Sequence, residues 1–456
     1  MNSQQKSAIV VGVSTAFVTT FAGSALNLAI PSMGSHFNMG AAGVGWIVTI
    51  YSLVVAAFST PFGKLSDSTG RRRILMIGVV GFGIVSIVTI FAPNATFLLT
   101  LRVLQGLTAA MIFATNMPIA ISAFPGNQRG KAIGLVTSGT YAGLAMGPVL
   151  GGVLNNWFGW KAIFIFGACV SVIAFFFVLK GVEKDTVEKQ ETRQDISGNI
   201  LYVFMIASFI YGLTAFNSIQ FGWAFIVVAV FIGFLFVRTE LASENPMIDV
   251  RIFAHNKAYT LSNLTALFNY SATFALSYLV SIYLQVVMGF SSQTAGFILI
   301  TQPLFMAILS PRMGKLSDKI PAYKLASFGM ALCALSLLFF GFIRENTSII
   351  MVIIALAVAG IGIAFFSSPN TNVIMGCVPP AKFGVANSIL ATMRTTGQSS
   401  GMAIITLVVS GTIGNVSLYQ VSPEQLISTI HIAFLIFTGL CAAGIVMSLQ
   451  RKKVQE

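Results

Sequence analysis

Gly63-Lys64-Leu65-Ser66-Asp67-Ser68-Thr69-Gly70-Arg71-Arg72-Arg73 runs between two long apolar segments, and Asp67 is the single carboxylate between Met1 and Val182. The first five residues return as Gly314-Lys315-Leu316-Ser317-Asp318, again just past an apolar segment. Ionisable groups are kept out of lipid unless they work there, so this scarcity of acids reads as immersion in a bilayer. Outward from the motif, apolar segments of about 20 residues, the length that crosses a hydrocarbon core, fall at 7–31, 42–62, 74–92, 96–123, 132–155, 161–180, 196–215, 219–237, 258–287, 293–311, 323–343, 347–375, 383–411 and 427–449. The chain has 456 residues, 56% hydrophobic and 9% charged, too few polar groups to cover a soluble protein of that size. The fold class is therefore all-α integral membrane, with fourteen transmembrane helices.

An even number of spans puts both ends of the chain on one side. The net charge of +13 follows that topology and is not gathered into a nucleic-acid patch. Of the Lys and Arg in the connections, all but Lys161 and Arg344 fall on the side of the termini. By the positive-inside rule that side is cytoplasmic, and the expectation is a multi-pass protein of the cell membrane with no nucleic-acid partner. The first apolar run, at about 25 residues, exceeds the 7–15 of a signal-peptide core and is read as a retained span. Cys169, Cys333, Cys377 and Cys441 lack metal or redox spacing and read as small hydrophobes. There is no phosphate-binding glycine–lysine loop, ligand cluster or nucleophile triad. An enzyme or ATP-driven pump is a poor reading, and neither cofactor nor metal is expected.

The longest polar connections, 181–195 and 238–257, bracket the segments 196–215 and 219–237, which look like an inserted pair. Six spans precede that pair and six follow, each half carrying the Gly-Lys-Leu-Ser-Asp copy after its second span. The boundaries are an N-terminal six-helix bundle over 1–181, linkers and inserted pair over 182–257, and a C-terminal bundle over 258–456. Duplicated halves are a common transporter plan, with the substrate site near the midplane between them.

Within this frame a few residues stand out. Asp67, between Gly63 and Gly70 and followed by Arg71 and Arg72, can cap a helix N-terminus and pair with an arginine. With its second copy at Gly314–Asp318 it reads as a conformational latch; retention of the loop on one side by its arginines is the plainer alternative. Arg102 lies about six residues into the fourth span and Arg394 about eleven into the thirteenth. Intramembrane arginines are functional candidates, with snorkelling for Arg102 and a helix-carbonyl bond for Arg394 as alternatives. In the fifth span, Gly143, Gly147 and Gly151 form a flat ridge beside Pro148 and Gly152, suited to close helix approach. Asn269, Thr273 and Ser277 in the ninth span, with Tyr270, Phe274 and Tyr278 alongside, together with Asn27 and Asn116, are candidates for a substrate cavity; hydroxyl bonds between helices are the alternative.

These residues resemble the major facilitator superfamily, specifically its fourteen-span drug:proton antiporter branch. The resemblance covers nearly the whole chain: Asn27, Ala29 and Pro31; Trp46 and Tyr51; Gly63–Arg73; Arg102 with Gly106; Gly143–Gly152, which looks like the antiporter signature; Gln285–Phe290; and Arg394 with Gly397. It implies two six-helix bundles, an inserted helix pair and alternating access by rocking, in a monomer. It further implies export of small amphiphilic molecules, multidrug efflux, driven by protons. One departure matters. Many relatives carry an aspartate five residues before the asparagine that matches Asn27, and here that position is Ala22. No other span offers a clear replacement carboxylate, which makes export of a specific neutral or anionic metabolite the alternative. A transporter-like sensor is a third reading, without support from any signalling segment. On these grounds Arg102→Ala is expected to abolish transport without loss of folded protein, and Asp67→Asn to slow cycling more than it weakens substrate binding.

Overall fold

The computed structural model describes residues 1, 3–39, 41–182, 195–215, 222–413 and 422–451. Among them run fourteen long helices: α1 (Ser3–Ser24), α2 (Ala41–Thr69), α3 (Arg71–Thr89), α4 (Ala95–Ser122), α5 (Arg129–Phe158), α6 (Lys161–Gly181), α7 (Ile196–Ala215), α8 (Gly222–Ala242), α9 (Lys257–Ile282), α10 (Thr301–Leu316), α11 (Ala322–Phe340), α12 (Ile349–Gly376), α13 (Phe383–Thr412) and α14 (Pro423–Gln450). Short helices Ile30–His36, Arg251–His255 and Ser292–Leu299 lead into α2, α9 and α10. Among the described residues, thirteen stretches are long and apolar enough to cross a membrane. The fourteenth, α13, has 30 residues, about 45 Å at 1.5 Å per residue. Its polarity comes from positions such as Asn387, Thr392 and Thr396, which are buried within the protein.

Helix α1 packs on α4, α5 and α6, α2 on α4, and α3 on α4 and α6. The later half repeats the plan, with α9 on α12, α13 and α14, α10 on α12, and α11 on α12 and α14. The halves meet along two seams, α2 against α13 and α5 against α10. Each seam joins the second helix of one half to the fifth of the other, as a two-fold relation between duplicated halves requires.

Two expectations about element ends are corrected. Residues 63–69 are not loop but the last turns of α2, and only Gly70 breaks the helix, at φ 112°. That left-handed backbone is open to glycine at little cost. The first span ends at Ser24, short of Pro31. Pro31 cannot donate to a continuing helix and instead sits in the first turn of Ile30–His36.

Inside the N-terminal half, the α5 glycines form the contact with α1. A Cβ at Gly143 would lie 2.6 Å from Phe17 O, and one at Gly151 would lie 2.7 Å from Ala25 O. At Gly147 the neighbour is Ser24 Oγ. Thr20 and Ser24 of α1 donate to Thr140 O at 3.0 Å and Gly143 O at 3.2 Å. Hydroxyls thus find acceptors where lipid offers none. Pro148 and Gly152 lie beside this ridge, half-buried.

Candidate functional site

Both copies of the repeat sit where the seams reach the end of the molecule that carries Arg451, here the terminal end. Asp67, on the last turn of α2, accepts from the N–H groups of Gly384 and Val385, each at 3.1 Å, at the start of α13. Asp318, just past α10, accepts from Gly130 and Lys131 at 2.7 and 3.0 Å, at the start of α5. Each carboxylate therefore caps a helix of the opposite half, where unsatisfied N–H groups and the helix dipole favour an anion. Burial raises the Asp318 carboxyl above its usual value, against the pull of those two N–H groups. Asp67 also pairs with Arg71 at 2.8 Å, and Arg71 donates to Ser122 Oγ and, across the seam, to Pro380 O. Phe383 lies under Arg71 and Arg129, whose guanidinium carbons are 5.8 and 5.3 Å from its ring centre. Arg72 turns instead to Leu179 O of α6.

The glycines of the repeat allow backbone to meet backbone. A Cβ at Gly314 would lie 2.1 Å from Gly130 O, and one at Gly63 would lie 2.7 Å from Gly384 O. Neither seam admits a side chain there unless the halves separate.

Between the halves lies a cavity of about 60 Å³, lined by Phe113 and Asn116 of α4, Thr137 and Tyr141 of α5, Tyr270 of α9, Ser367 of α12, and Asn387 and Arg394 of α13, among others. That is room for a few waters, not for a multi-ring solute. The Arg394 guanidinium carbon stands 5.1 Å from the Phe113 ring centre, and Asn387 donates to Phe113 O at 2.6 Å. No carboxylate lines the cavity among the described residues.

Of the sequence-derived cavity candidates, Asn116 and Tyr270 line it and Arg394 joins them; the Asn27 side chain lies outside the described residues. Asn269, Thr273, Phe274, Ser277 and Tyr278 do not line it. Asn269 faces α11, its Nδ2 at 3.1 Å from Met330 Sδ. Thr273 donates to Asn269 O, Ser277 meets Gln302 Oε1 at 3.2 Å, and Phe274 stacks with Tyr278. Steps of four residues rotate the stripe by about 40° each, which carries most of it away from the seam.

Arg102 is fully buried inside the N-terminal half. It donates to Ile47 O at 2.8 Å and to Gln105 Oε1 at 2.5 Å, and Gln105 donates on to Ser86 Oγ. Its guanidinium carbon is 4.4 Å from the Tyr51 ring centre. Burial this complete within the protein rules out snorkelling and adds a stability effect to the expectation for Arg102→Ala. Truncation leaves the buried Gln105 Oε1 without its donor and opens a void beside Tyr51, which together cost about 1–3 kcal/mol. Loss of folded protein, measured as a lower unfolding temperature in detergent, is expected along with loss of transport.

Two ionisable residues escaped the sequence reading: Arg451, counted as a tail charge but fully buried against Ser262 Oγ and Asn370 Oδ1, and Glu240. Residues 238–257 look like a polar connection, yet α8 continues to Ala242 and buries Glu240, 1% exposed, on the same face as Phe236. The four-residue step from Phe236 to Glu240 was the available signal. The inserted pair also spans a seam: the Tyr202 hydroxyl of α7 lies 2.8 Å from both Thr60 Oγ1 of α2 and Thr392 Oγ1 of α13.

Two six-helix bundles with a cavity between them and paired contacts at one end define a two-bundle membrane transporter. The chain belongs to the Major Facilitator Superfamily, whose profile matches residues 13–240 and 263–455. It is 31% identical over 395 residues to the riboflavin transporter RibZ of Clostridioides difficile, covering 87% of this chain and 85% of that one. It is 32% identical over 387 residues to the multidrug resistance protein Stp of Mycobacterium tuberculosis, covering 83% of this chain and 71% of Stp. The fold also matches that of the human organic anion transporter MFSD10 (TETRAN), with a TM-score of 0.68 over 96% of this chain and 99% of that one, at 14% identity.

Proposed function

We propose that this protein exports small amphiphilic molecules by alternating access, that the proton gradient drives it, and that its preferred solutes are neutral or anionic. The observation that carries the solute preference is Arg394, the ionisable cation of a central cavity whose described lining holds no carboxylate. In a low-dielectric cavity an unpaired cation repels a second one and attracts an anion or a polarised neutral group. Similarity to proteins named for multidrug resistance and for riboflavin transport is consistent with amphiphilic cargo. The bundles 1–181 and 258–456 act as the rocking bodies of a monomer, with 182–257 carrying the inserted pair. The Asp67 and Asp318 contacts hold the terminal end shut. With both termini in the cytoplasm, as the distribution of Lys and Arg supports, the closed end is the cytoplasmic one.

The test is flux in proteoliposomes under an imposed pH gradient, comparing a lipophilic cationic dye with neutral and anionic amphiphiles of similar size. Gradient-dependent movement of the neutral and anionic compounds is expected. Movement of the cation alone would overturn the solute preference, and movement of none would overturn the transport reading for these solutes.

A further inference from the structure

The base of the inserted pair holds two carboxylates that the transport reading does not use. Glu240 of α8 is 1% exposed. Its Oε2 accepts from the Ile248 N–H at 3.0 Å and the Met247 N–H also acts on the carboxylate, while its Oε1 has no side-chain partner among the described residues. Asp195 opens α7, where its Oδ1 accepts from Ser197 Oγ and the Gly198 N–H at 2.7 and 2.8 Å. The Asp195 Oδ2 is also buried without a partner among the described residues. The two open oxygens converge on one point: a Cβ built on Gly198 would lie 2.2 Å from Glu240 Oε1 and 2.8 Å from Asp195 Oδ2. Glycine keeps that space clear.

We propose that Glu240 and Asp195 hold one proton between them, in a binding site of their own at the base of the inserted pair and outside the central cavity. Two facing carboxylates with no donor between them repel, and low dielectric sharpens the repulsion. A single proton taken from water turns one oxygen into a donor for the other and changes the pair from two negative charges to one. A surface pocket lined by Asp195, Ser197, Arg238, Thr239 and Ser243 opens beside Asp195, and Arg238 adds a cation on that side. The cation facing the pair from the neighbouring bundle is Lys64 of α2, whose Nζ donates to Pro246 O at 2.9 Å. Behind it Lys382 pairs with Asp249 at 3.7 Å.

The site stands where a proton could be felt by the whole molecule. Lys64 lies one turn before Asp67 on α2, and α7 bridges α2 and α13 through Tyr202. A change of one charge at Glu240 and Asp195 therefore acts beside the very seam that Asp67 closes.

Proton binding is read directly, whichever solute the protein carries, by pH-difference infrared spectroscopy on the full chain in lipid nanodiscs. A buried carboxylic-acid carbonyl band that titrates in the native protein is expected to vanish in Glu240→Gln and to shift in Asp195→Asn. Proton uptake over the same pH range, followed with an indicator dye, falls by about one per molecule in Glu240→Gln. Asn caps a helix about as well as Asp, so Asp195→Asn carries the test if Glu240→Gln does not fold. A band and proton count unchanged in either folded variant would overturn the proposal. So would stoichiometric binding of calcium or sodium chloride that disappears in Glu240→Gln, which would make this a metal-cation site instead.

Discussion

Replacing Asp67 and Asp318 together by asparagine is expected to open the terminal end about a hundredfold more often than in the native protein. Each carboxylate accepts two backbone N–H groups from the opposite half. Asparagine keeps an acceptor oxygen but loses the charge, a loss of about 1.5 kcal/mol per site and hence about tenfold each. The contacts share no partner and lie on different seams, so the two losses add if the halves separate as rigid bodies. Spin labels at the exposed positions Thr69 and Ala381, on either side of the α2–α13 seam, report the separation as a distance distribution. Unchanged distances in the double variant would show that these carboxylates do not hold the state. A double effect no larger than either single one would show that one seam opens without the other. Neither aspartate lines the cavity, so solute affinity should change little while turnover changes much.

Those two contacts were half legible in the chain. The repeat of Gly-Lys-Leu-Ser-Asp marked the two acids and their glycines, and their duplication fixed the bundle plan. Their partners left no mark, because they are main-chain N–H groups of Gly130, Lys131, Gly384 and Val385, which every sequence offers at every helix start. The central cavity was legible only through Asn116, Tyr270 and Arg394. The other ninth-span candidates do not line this cavity because repeated steps of four residues drift off one helical face: Asn269 ends against Met330 while Tyr270, one residue on, reaches the seam. Glu240 was missed because a charge near the end of an apolar run looks like the start of a connection. Only packing shows that the helix continues past it.

The second large effect concerns the cavity. Arg394→Ala is expected to lower the flux of an anionic amphiphile at least tenfold and that of a neutral one much less, without loss of folded protein. The contrast with Arg102 is physical. Arg102 is clamped by Ile47 O, Gln105 and the Tyr51 ring, so its removal orphans a buried network. Arg394 rests on the Phe113 ring at the edge of the central cavity, and its removal frees volume that water can fill. A charge-assisted contact to a bound anion contributes about 1.5–3 kcal/mol, which sets the size of the anion effect. Arg394→Lys separates charge from shape. Lysine keeps the cation but loses the planar fork and its stacking on Phe113, so anion flux should recover in part. Cationic dye flux should rise in Arg394→Ala and not in Arg394→Lys, because only the first removes the repulsion. Equal losses for anionic, neutral and cationic solutes in Arg394→Ala would mean that the guanidinium supports the shape of the cavity and does not select what enters it.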